Sequence, residues 1–194
     1  MRKEFAVKPI ALPQPVFIIG TYDKDGTPNA MNAAWGCHNE MDQMMFALAK
    51  GHKTVKNLLE TKAFTVSMGT VEQLAACDYV GLVSGSKEPR KVEKAGFHAK
   101  KALHVNAPYF EELPMTLECE VLSYNEETEI LTGRIVGISA DESILTGENI
   151  DPKKLRPLVF DMANMKYLVA EETVGNAFSE GKKLFLVSAQ IALI

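Results

Sequence analysis

The chain has 194 residues, of which 46% are hydrophobic and 24% are charged, and its formal net charge is −4. A chain of this length can bury a sizeable core, and we expect a single domain over residues 1–194. The acidic balance, with no basic stripe along the chain, argues against a nucleic acid partner. Three widely spaced cysteines without a Cys-x-x-Cys pair predict neither a disulfide framework nor a metal site.

The two ends of the chain are expected to be peripheral. Residues 1–11 read as a lead-in that lacks the apolar stretch of a signal peptide. Residues 184–194 are apolar, but a stretch of this length is too short to cross a bilayer. We therefore expect a cytoplasmic protein with no membrane partner, whose tail packs against a partner subunit or a neighbouring barrel.

The first half of the chain is predicted to consist of short strands and a few helices. Apolar runs at 16–22 and 29–35 flank Asp25-Gly26, and an Asp-Gly pair in this setting predicts a β-hairpin because glycine adopts positive φ values readily. Apolar spacing predicts the remaining elements. These are strands at 43–49 and 63–68, and helices at 53–60, 71–82 and 88–96.

The second half continues in the same way. Residues 117–121 alternate apolar and acidic side chains, which is typical of a strand with one buried face. A polar turn at 125–128 joins it to a predicted strand at 130–140. The remaining predicted elements are a helical turn at 151–155, a strand at 157–160 and a terminal helix at 173–180. Many short strands with few helices favour a closed antiparallel barrel over βαβ winding.

Two neighbouring segments indicate a nucleotide-like cofactor. Small residues in the strand 29–35 would let a flat ligand approach the backbone, where main-chain amides and asparagine side chains can bond to its rim. A lysine and a threonine at 53–54 stand at a helix start, beside free backbone N–H groups, and this combination makes an anion site. A strand surface that could contact a flat ring, together with a helix start that could bind a phosphate, predicts a nucleotide-like ligand.

The same residues also fit structural roles. Residues 52–54 could form a solvated helix start, and residues 32–35 could be ordinary strand residues with Trp35 in the core. Cys37 and His38 suggest a thiol–imidazole pair, but neighbours on a strand point to opposite faces, so we expect packing roles for them.

A family resemblance rests on short motifs in a fixed order along the chain. The matching pieces are Pro15-Val16, Asp25-Gly26, Asn29-Ala30-Met31, Ala34-Trp35, His52-Lys53-Thr54, Ser84-Gly85-Ser86, Ala107-Pro108, Leu117-Glu118-Cys119 and Lys154-Leu155-Arg156-Pro157-Leu158. In this order and spacing, the chain from about residue 12 to 183 resembles the flavin reductase-like family of FMN-binding split β-barrels, and its flavoredoxin-type members in particular.

The resemblance implies a mostly β fold with short helices, a split β-barrel, and a homodimer that holds FMN at the subunit interface. It implies an FMN-binding oxidoreductase that moves electrons from NAD(P)H through the bound flavin to a small-molecule or protein acceptor. The alternative is a flavoredoxin-like electron carrier that takes electrons from a protein partner without oxidising NAD(P)H. No Gly-x-Gly-x-x-Gly motif occurs, so NAD(P)H would stack against the flavin instead of docking on its own fold.

The resemblance also implies that the candidate residues contact FMN. No catalytic side chain is expected, because N5 of the flavin accepts the hydride. We expect phosphate contacts at 52–54, ring contacts at 31–35, and phosphate or ribityl contacts from Ser84 and Lys87. The expected cofactor-binding residues are Asn29, Met31, Asn32, Ala33, Ala34, Trp35, His52, Lys53, Thr54, Ser84 and Lys87.

Overall fold

The structure, a computed structural model, describes residues 1–182 and 184, so nearly all of the predicted tail lies outside the described residues. The strands are β1 (Gln14–Pro15), β2 (Phe17–Tyr22), β3 (Pro28–Ala33), β4 (Gly36–Glu40), β5 (Gln43–Ala47), β6 (Ala63–Met68), β7 (Ala99–Lys101), β8 (Pro108–Phe110), β9 (Met115–Asn125), β10 (Ile130–Ala140), β11 (Leu145–Thr146), β12 (Asn149–Ile150), β13 (Leu158–Asp161) and β14 (Lys166–Val169). The helices are α1 (Lys53–Thr61), α2 (Leu74–Leu82), α3 (Lys91–Lys94) and α4 (Pro152–Leu155).

The main sheet has seven antiparallel strands in the order β3-β2-β6-β9-β10-β5-β4. Strands β3 and β4 are its two edges, although only Ala34 and Trp35 separate them in the chain. The sheet must therefore curl until its edges approach each other at this corner, which produces a barrel that is open along one side. Register shifts between β9 and β10 allow these long strands to bend. The predicted split β-barrel with short helices is confirmed.

Strand β2 is buried on both faces and separates two apolar clusters. Ile19 points into the barrel with Phe46, Phe64 and Leu58 of α1, whereas Ile18 points outward into a cluster that includes Val80 of α2. Full burial of each such aliphatic side chain contributes about 1.5–3 kcal/mol. Helices α1 and α2 are thus both held against the β2–β3 hairpin, and this arrangement brings their ends together.

Most of the predicted elements are present. The hairpin is confirmed, because β2 pairs with β3 with Ile19 opposite Met31, and Gly26 in the turn has φ +80°. Helix α1 and strands β6 and β10 also form where the sequence predicts them. The predicted helix at 71–82 begins as a short 3-10 turn, and the one at 88–96 is reduced to the four residues of α3. The single domain over 1–194 stays a prediction.

The predicted terminal helix at 173–180 is wrong. Residues 171–176 have no regular structure and 177–179 form a turn. Val174 and Phe178 are 91% and 98% exposed, so a helix here would lack the apolar burial that stabilises short helices. The strand expected at Cys37 and His38 is present as β4, but both side chains are exposed on this edge strand, so the packing roles expected for them are wrong. In the described part of the chain, no helix has the length and apolar character needed to span a membrane.

Candidate functional site

The candidate site begins as a cleft of about 230 Å³ between β3, the start of α1 and the loop after α2. The packing of α1 and α2 on the β2–β3 hairpin brings these three segments together. Most of the residues expected from the sequence meet here. Those lining the cleft are Asn29, Met31, Asn32, His52, Lys53, Thr54 and Ser84.

The start of α1 provides backbone donors. His52 is the N-cap residue in an extended conformation, and its side chain makes no capping hydrogen bond. The first-turn N–H groups of a helix have no intrahelical acceptor, so they carry a partial positive charge toward the cleft. The Thr54 hydroxyl lies in this first turn and accepts a hydrogen bond from Asn29 Nδ2 at 2.9 Å. Its own proton therefore remains available for an anionic ligand.

Asn29 has an unsatisfied acceptor beside the cleft. Its side chain is 3% exposed, and its Nδ2 group donates to Thr54 and, at 3.4 Å, to Thr21. Its Oδ1 atom, however, has no hydrogen-bond partner among the described residues. The loop after α2 comes so close that a Cβ on Gly85 would lie 2.3 Å from this oxygen. A buried acceptor without a donor is costly, and a ligand hydroxyl group would satisfy it.

Lys53 brings a cation to the same end of the cleft. Its Nζ lies 2.9 Å from Asp23 Oδ2, and Asp23 Oδ1 accepts the N–H groups of Asp25 and Thr27 in the hairpin turn. Burial alone would raise the pKa of the Asp23 carboxyl, but the Lys53 ammonium and the two backbone donors lower it below its ordinary value. Since an ammonium has three donors, the pair leaves Lys53 able to bind an anion.

Lys91 is a functional candidate that the sequence did not reveal. It is 3% exposed, it lines the cleft, and its Nζ donates to the carbonyl groups of Val80 at 3.1 Å and Val83 at 2.8 Å. These carbonyl groups end α2, where the helix dipole favours a cation. Burial lowers the pKa of Lys91 to about 8. A lysine in a polar segment is normally a surface residue, so only the tertiary packing identifies it.

A second cleft continues the first toward β13 and β14. Its volume is also about 230 Å³, and it shares Asn32, Gly81 and Leu82 with the first cleft. Neither cleft alone reaches the roughly 300–1,000 Å³ that is usual for small-molecule sites. The shared walls make them one groove, whose two parts we call the phosphate end (the first cleft) and the ring end (the second cleft).

The ring end is lined by aromatic side chains and one carboxylate. The rings of Phe160 and Tyr167 lie 5.8 Å apart at 43°, and Ala34 and Asp78 complete the lining. The Tyr167 hydroxyl donates to Asp78 Oδ1 at 2.7 Å. Burial, and then the Asp78 carboxylate, raises the pKa of Tyr167, so the phenol keeps its proton. Asn32 is fixed between the two ends because its Nδ2 donates to the carbonyl group of Cys77 at 3.0 Å.

Three expected residues do not line the groove. The Ala33 side chain lies in the barrel core, so only its main chain could meet a ligand. Trp35 is 51% exposed at the corner between β3 and β4, and its alternative placement in the core is wrong. Lys87 is exposed in the loop after α2 and lines neither cleft. Their contacts with a cofactor stay predictions.

The curled sheet with its short helices has the architecture of a split β-barrel. Residues 10–168 match the Flavin reductase like domain family, and the chain belongs to this family. The predicted family is therefore confirmed.

Solved structures give the same result. The chain is 33% identical to flavoredoxin of Desulfovibrio vulgaris (Miyazaki F), with a TM-score of 0.88 over 93% of this chain and 100% of that chain. Flavoredoxin from Methanosarcina acetivorans is 26% identical, with a TM-score of 0.84 over 94% of this chain and 100% of that chain. An FMN-binding domain of a flavin reductases-like enzyme from Shewanella baltica OS155 is 19% identical, with a TM-score of 0.76 over 84% and 89%. At that identity it shows the fold alone.

Proposed function

We propose that the groove binds FMN and that the protein is an oxidoreductase that moves electrons from NAD(P)H through the flavin to an acceptor. The observation that carries this proposal is the groove itself, which joins an anion-binding helix start to an aromatic-walled end. A flavin mononucleotide has the same order of groups, with a phosphate at one end and a flat ring at the other. The flavin, when bound, supplies the hydride and electron chemistry.

The phosphate end fits a dianion. The first-turn N–H groups of α1, the Thr54 hydroxyl and the Lys53 ammonium can all donate to phosphate oxygens, and charge-assisted bonds of this kind are stronger than neutral ones. His52 and Ser84 line the same cleft and are further candidates for phosphate contacts. Lys91 adds a second positive charge to the same end.

The middle of the groove fits a polyhydroxy chain. The unpartnered oxygen belongs to Asn29, which lines the first cleft together with the shared residues of the groove, and it lies against Gly85 of the loop after α2. A ribityl hydroxyl group that donates to this oxygen would remove the cost of leaving it unsatisfied. Asn32 and Met31 line the groove beyond Asn29 toward the ring end. A hydrogen bond from a ribityl hydroxyl group to Asn29 Oδ1 would support FMN binding independently of the charge of the phosphate.

The ring end fits an isoalloxazine. Phe160, Tyr167 and Leu82 provide apolar walls, and the main chain at 31–35 can supply donors along the edge of the ring. Positioned donors of this kind stabilise the negative charge that a ring gains on reduction. No acid–base side chain is required in this scheme, because the chain's residues bind and orient the ring and limit its access to water.

Flavin binding is tested by the purified protein itself. We expect a yellow protein with the absorption bands of oxidised flavin, or an apoprotein that quenches FMN fluorescence on titration. Lumiflavin, which lacks the ribityl phosphate, should bind much more weakly than FMN. If neither FMN nor riboflavin bound at micromolar concentration, the proposed function would be wrong.

A second candidate function is a flavoredoxin-like electron carrier that takes electrons from a protein partner. The observation that favours it is the 33% identity with a protein named flavoredoxin over nearly the whole of both chains. Steady-state oxidation of NADH and NADPH by the FMN-loaded protein distinguishes the two candidates. Turnover with free flavin or another acceptor supports the reductase, whereas a flavin that NAD(P)H does not reduce supports the carrier.

We also propose a homodimer with the groove at the subunit interface. Trp35 and Leu82 expose large apolar surfaces beside the ring end, at 51% and 76% of their maximum, and a twofold partner would cover both them and an open side of the ring. Sedimentation of the FMN-loaded protein should therefore give twice the chain mass. The tail at 184–194 is expected to contribute, so its deletion should weaken the dimer, whereas a flavin-loaded monomer would refute the interface site.

A further inference from the structure

The ring end of the groove contains a carboxylate that the proposed function does not use. Asp78 lines this end, and its Oδ1 atom accepts a hydrogen bond from Tyr167 at 2.7 Å. Among residues 1–182 and 184, no lysine, arginine or histidine lies within ion-pair distance of Asp78. Asp78 therefore brings to the ring end a carboxylate whose hydrogen-bond partner, in the described part of the chain, is a neutral phenol.

The position of this charge is fixed from two directions. Asp78 lies in α2, which packs on β3, and Tyr167 lies in β14, in the small sheet formed by β1, β13 and β14. The hydrogen bond between them therefore joins elements 89 residues apart. The ring of Tyr167 is half-buried and lies 5.8 Å from that of Phe160, so its position beside Asp78 is supported by packing as well as by the hydrogen bond.

The two ends of the groove thus carry opposite charges. The cations Lys53 and Lys91 line the phosphate end, and neither lines the ring end. A neutral flavin ring that takes up two electrons and one proton gains one negative charge. A carboxylate that lines the same cavity repels this charge, and the repulsion is appreciable because the cavity is less polar than bulk water. Repulsion of the reduced form lowers the reduction potential of the bound ring.

We propose that Asp78 is a fixed negative charge that holds the reduction potential of the bound flavin low, and that Tyr167 positions its carboxylate. This inference rests on the proposed function, since it requires a flavin ring at the ring end. Its consequence for either candidate function is that reduced protein gives up its electrons readily, so that the acceptor can itself be a low-potential group.

The test compares two substitutions that separate the charge from the hydrogen bond. Asp78→Asn removes the charge and keeps an acceptor for Tyr167, whereas Tyr167→Phe removes the hydrogen bond and keeps the charge. The potential of FMN in each holoprotein is measured against a reference dye during slow enzymatic reduction. We expect Asp78→Asn to improve the binding of reduced relative to oxidised FMN by about tenfold, which for two electrons raises the potential by about 30 mV.

The remaining variants define the outcomes. Asp78→Glu should keep the low potential, and Tyr167→Phe should raise it by clearly less than Asp78→Asn does, because the carboxylate keeps its charge but loses the donor that positions it. Asp78→Ser provides the same charge removal should the asparagine variant fail to fold. If Asp78→Asn and Asp78→Ser bind oxidised FMN like the wild type but leave the potential unchanged, the inference is overturned. It is also overturned if Tyr167→Phe raises the potential as much as Asp78→Asn.

Failure of the proposed function would look different. In that case the wild-type protein would not bind FMN, and no potential could be assigned to any variant. A flavin that is bound with an Asp78-independent potential would leave FMN binding intact and remove only the role of the carboxylate. The affinity for oxidised FMN, measured by fluorescence quenching in each variant, separates the two results.

Discussion

The two ends of the groove are built in different ways. At the phosphate end, most of the proposed anion donors come from one contiguous segment, residues 52–54, at the start of a helix. The ring end combines residues from four separate places in the chain, namely Ala34, Asp78, Phe160 and Tyr167. One end is cationic and carries buried polar groups, whereas the other is aromatic and carries a carboxylate, Asp78, for which the described residues provide no ion-pair partner. Some residues of a binding site can therefore come from one short segment, while others meet only in the folded protein. A sequence pattern indicates only the residues of the short segment.

Of the substitutions that test the difference between the two ends, we expect Lys53→Ala to have the largest effect on FMN binding. Lys53→Ala should weaken FMN binding by about 1.5–3 kcal/mol, the range for hydrogen bonds to charged groups. Riboflavin, which lacks the phosphate, should bind the variant nearly as well as it binds the wild type. Both dissociation constants can be measured by fluorescence quenching.

Lys56→Ala is the matched control for Lys53→Ala. Lys56 lies in the same helix and is exposed, but it does not line the groove. Its removal should leave FMN binding unchanged. A loss of riboflavin affinity in Lys53→Ala equal to the loss of FMN affinity would mean that Lys53 supports the fold rather than the phosphate.

The next largest effect is expected where the loop after α2 approaches Asn29. In Gly85→Ala the new Cβ would lie 2.3 Å from Asn29 Oδ1, so the loop or the amide must move. Overpacking of this kind costs about 1–3 kcal/mol, and we expect both a lower free energy of unfolding and weaker FMN binding. Gly51→Ala is the control, because Gly51 lines the same cleft and a Cβ there meets nothing within 4 Å. Equal effects of both substitutions would contradict the close contact.

A smaller effect concerns the choice between FMN and FAD. Beyond Lys53, the surface continues into a cleft that contains the carboxylates of Asp23, Asp25 and Glu60. The same cleft also contains Lys24 and Lys56, so its charge does not by itself exclude FAD; FMN is favoured because the helix start at 52–54 suits a terminal phosphate. We expect FMN to bind about tenfold more tightly, a difference of about 1.4 kcal/mol. Tighter binding of FAD in a fluorescence titration would place the phosphate elsewhere.

The smallest expected effect is a pH dependence at Lys91. Its pKa of about 8 means that the free protein loses this charge as the pH rises above that value. FMN affinity should therefore fall above pH 8 in the wild type, and Lys91→Met should remove that component of the pH profile. A pH profile of the dissociation constant that is the same in both proteins would exclude Lys91 from the phosphate end.

The lowered pKa of Lys91 also predicts how the free energy of unfolding changes with pH. Because the pKa is lowered in the folded protein, the unfolded chain binds more protons between about pH 8 and its ordinary value of 10.5. The contribution of Lys91 to the free energy of unfolding of the apoprotein should therefore rise with pH across this window. Denaturant titrations of the wild type and Lys91→Met at pH 8 and pH 10 would show this difference.

Sequence patterns predicted those parts of the fold that depend on neighbours in the chain. The hairpin follows from Asp25-Gly26 between two apolar runs, and the helix start that carries the candidate anion site forms at 52–54 as predicted. The bounds of the edge strand β4 and the exposure of Cys37 and His38 could not be predicted, because an exposed polar strand carries no apolar alternation and is held by its pairing with β5. The segment 173–180 shows the opposite case. Its sequence predicts a helix, but no helix forms there because its apolar side chains have no surface on which to pack.

By itself, the sequence predicted many short strands, the β2–β3 hairpin and a candidate anion site at a helix start, because strand periodicity, turn glycines and helix starts are local properties of the chain. The order of its short motifs indicated the flavin reductase-like family. Only the tertiary structure decided that Lys91 is buried at the end of α2, that Asn29 has an oxygen without a partner, and that Tyr167 bonds to Asp78. Each of these depends on contacts between residues that are distant in sequence. Burial and unsatisfied hydrogen bonding arise only when the segments pack, so no local pattern records them.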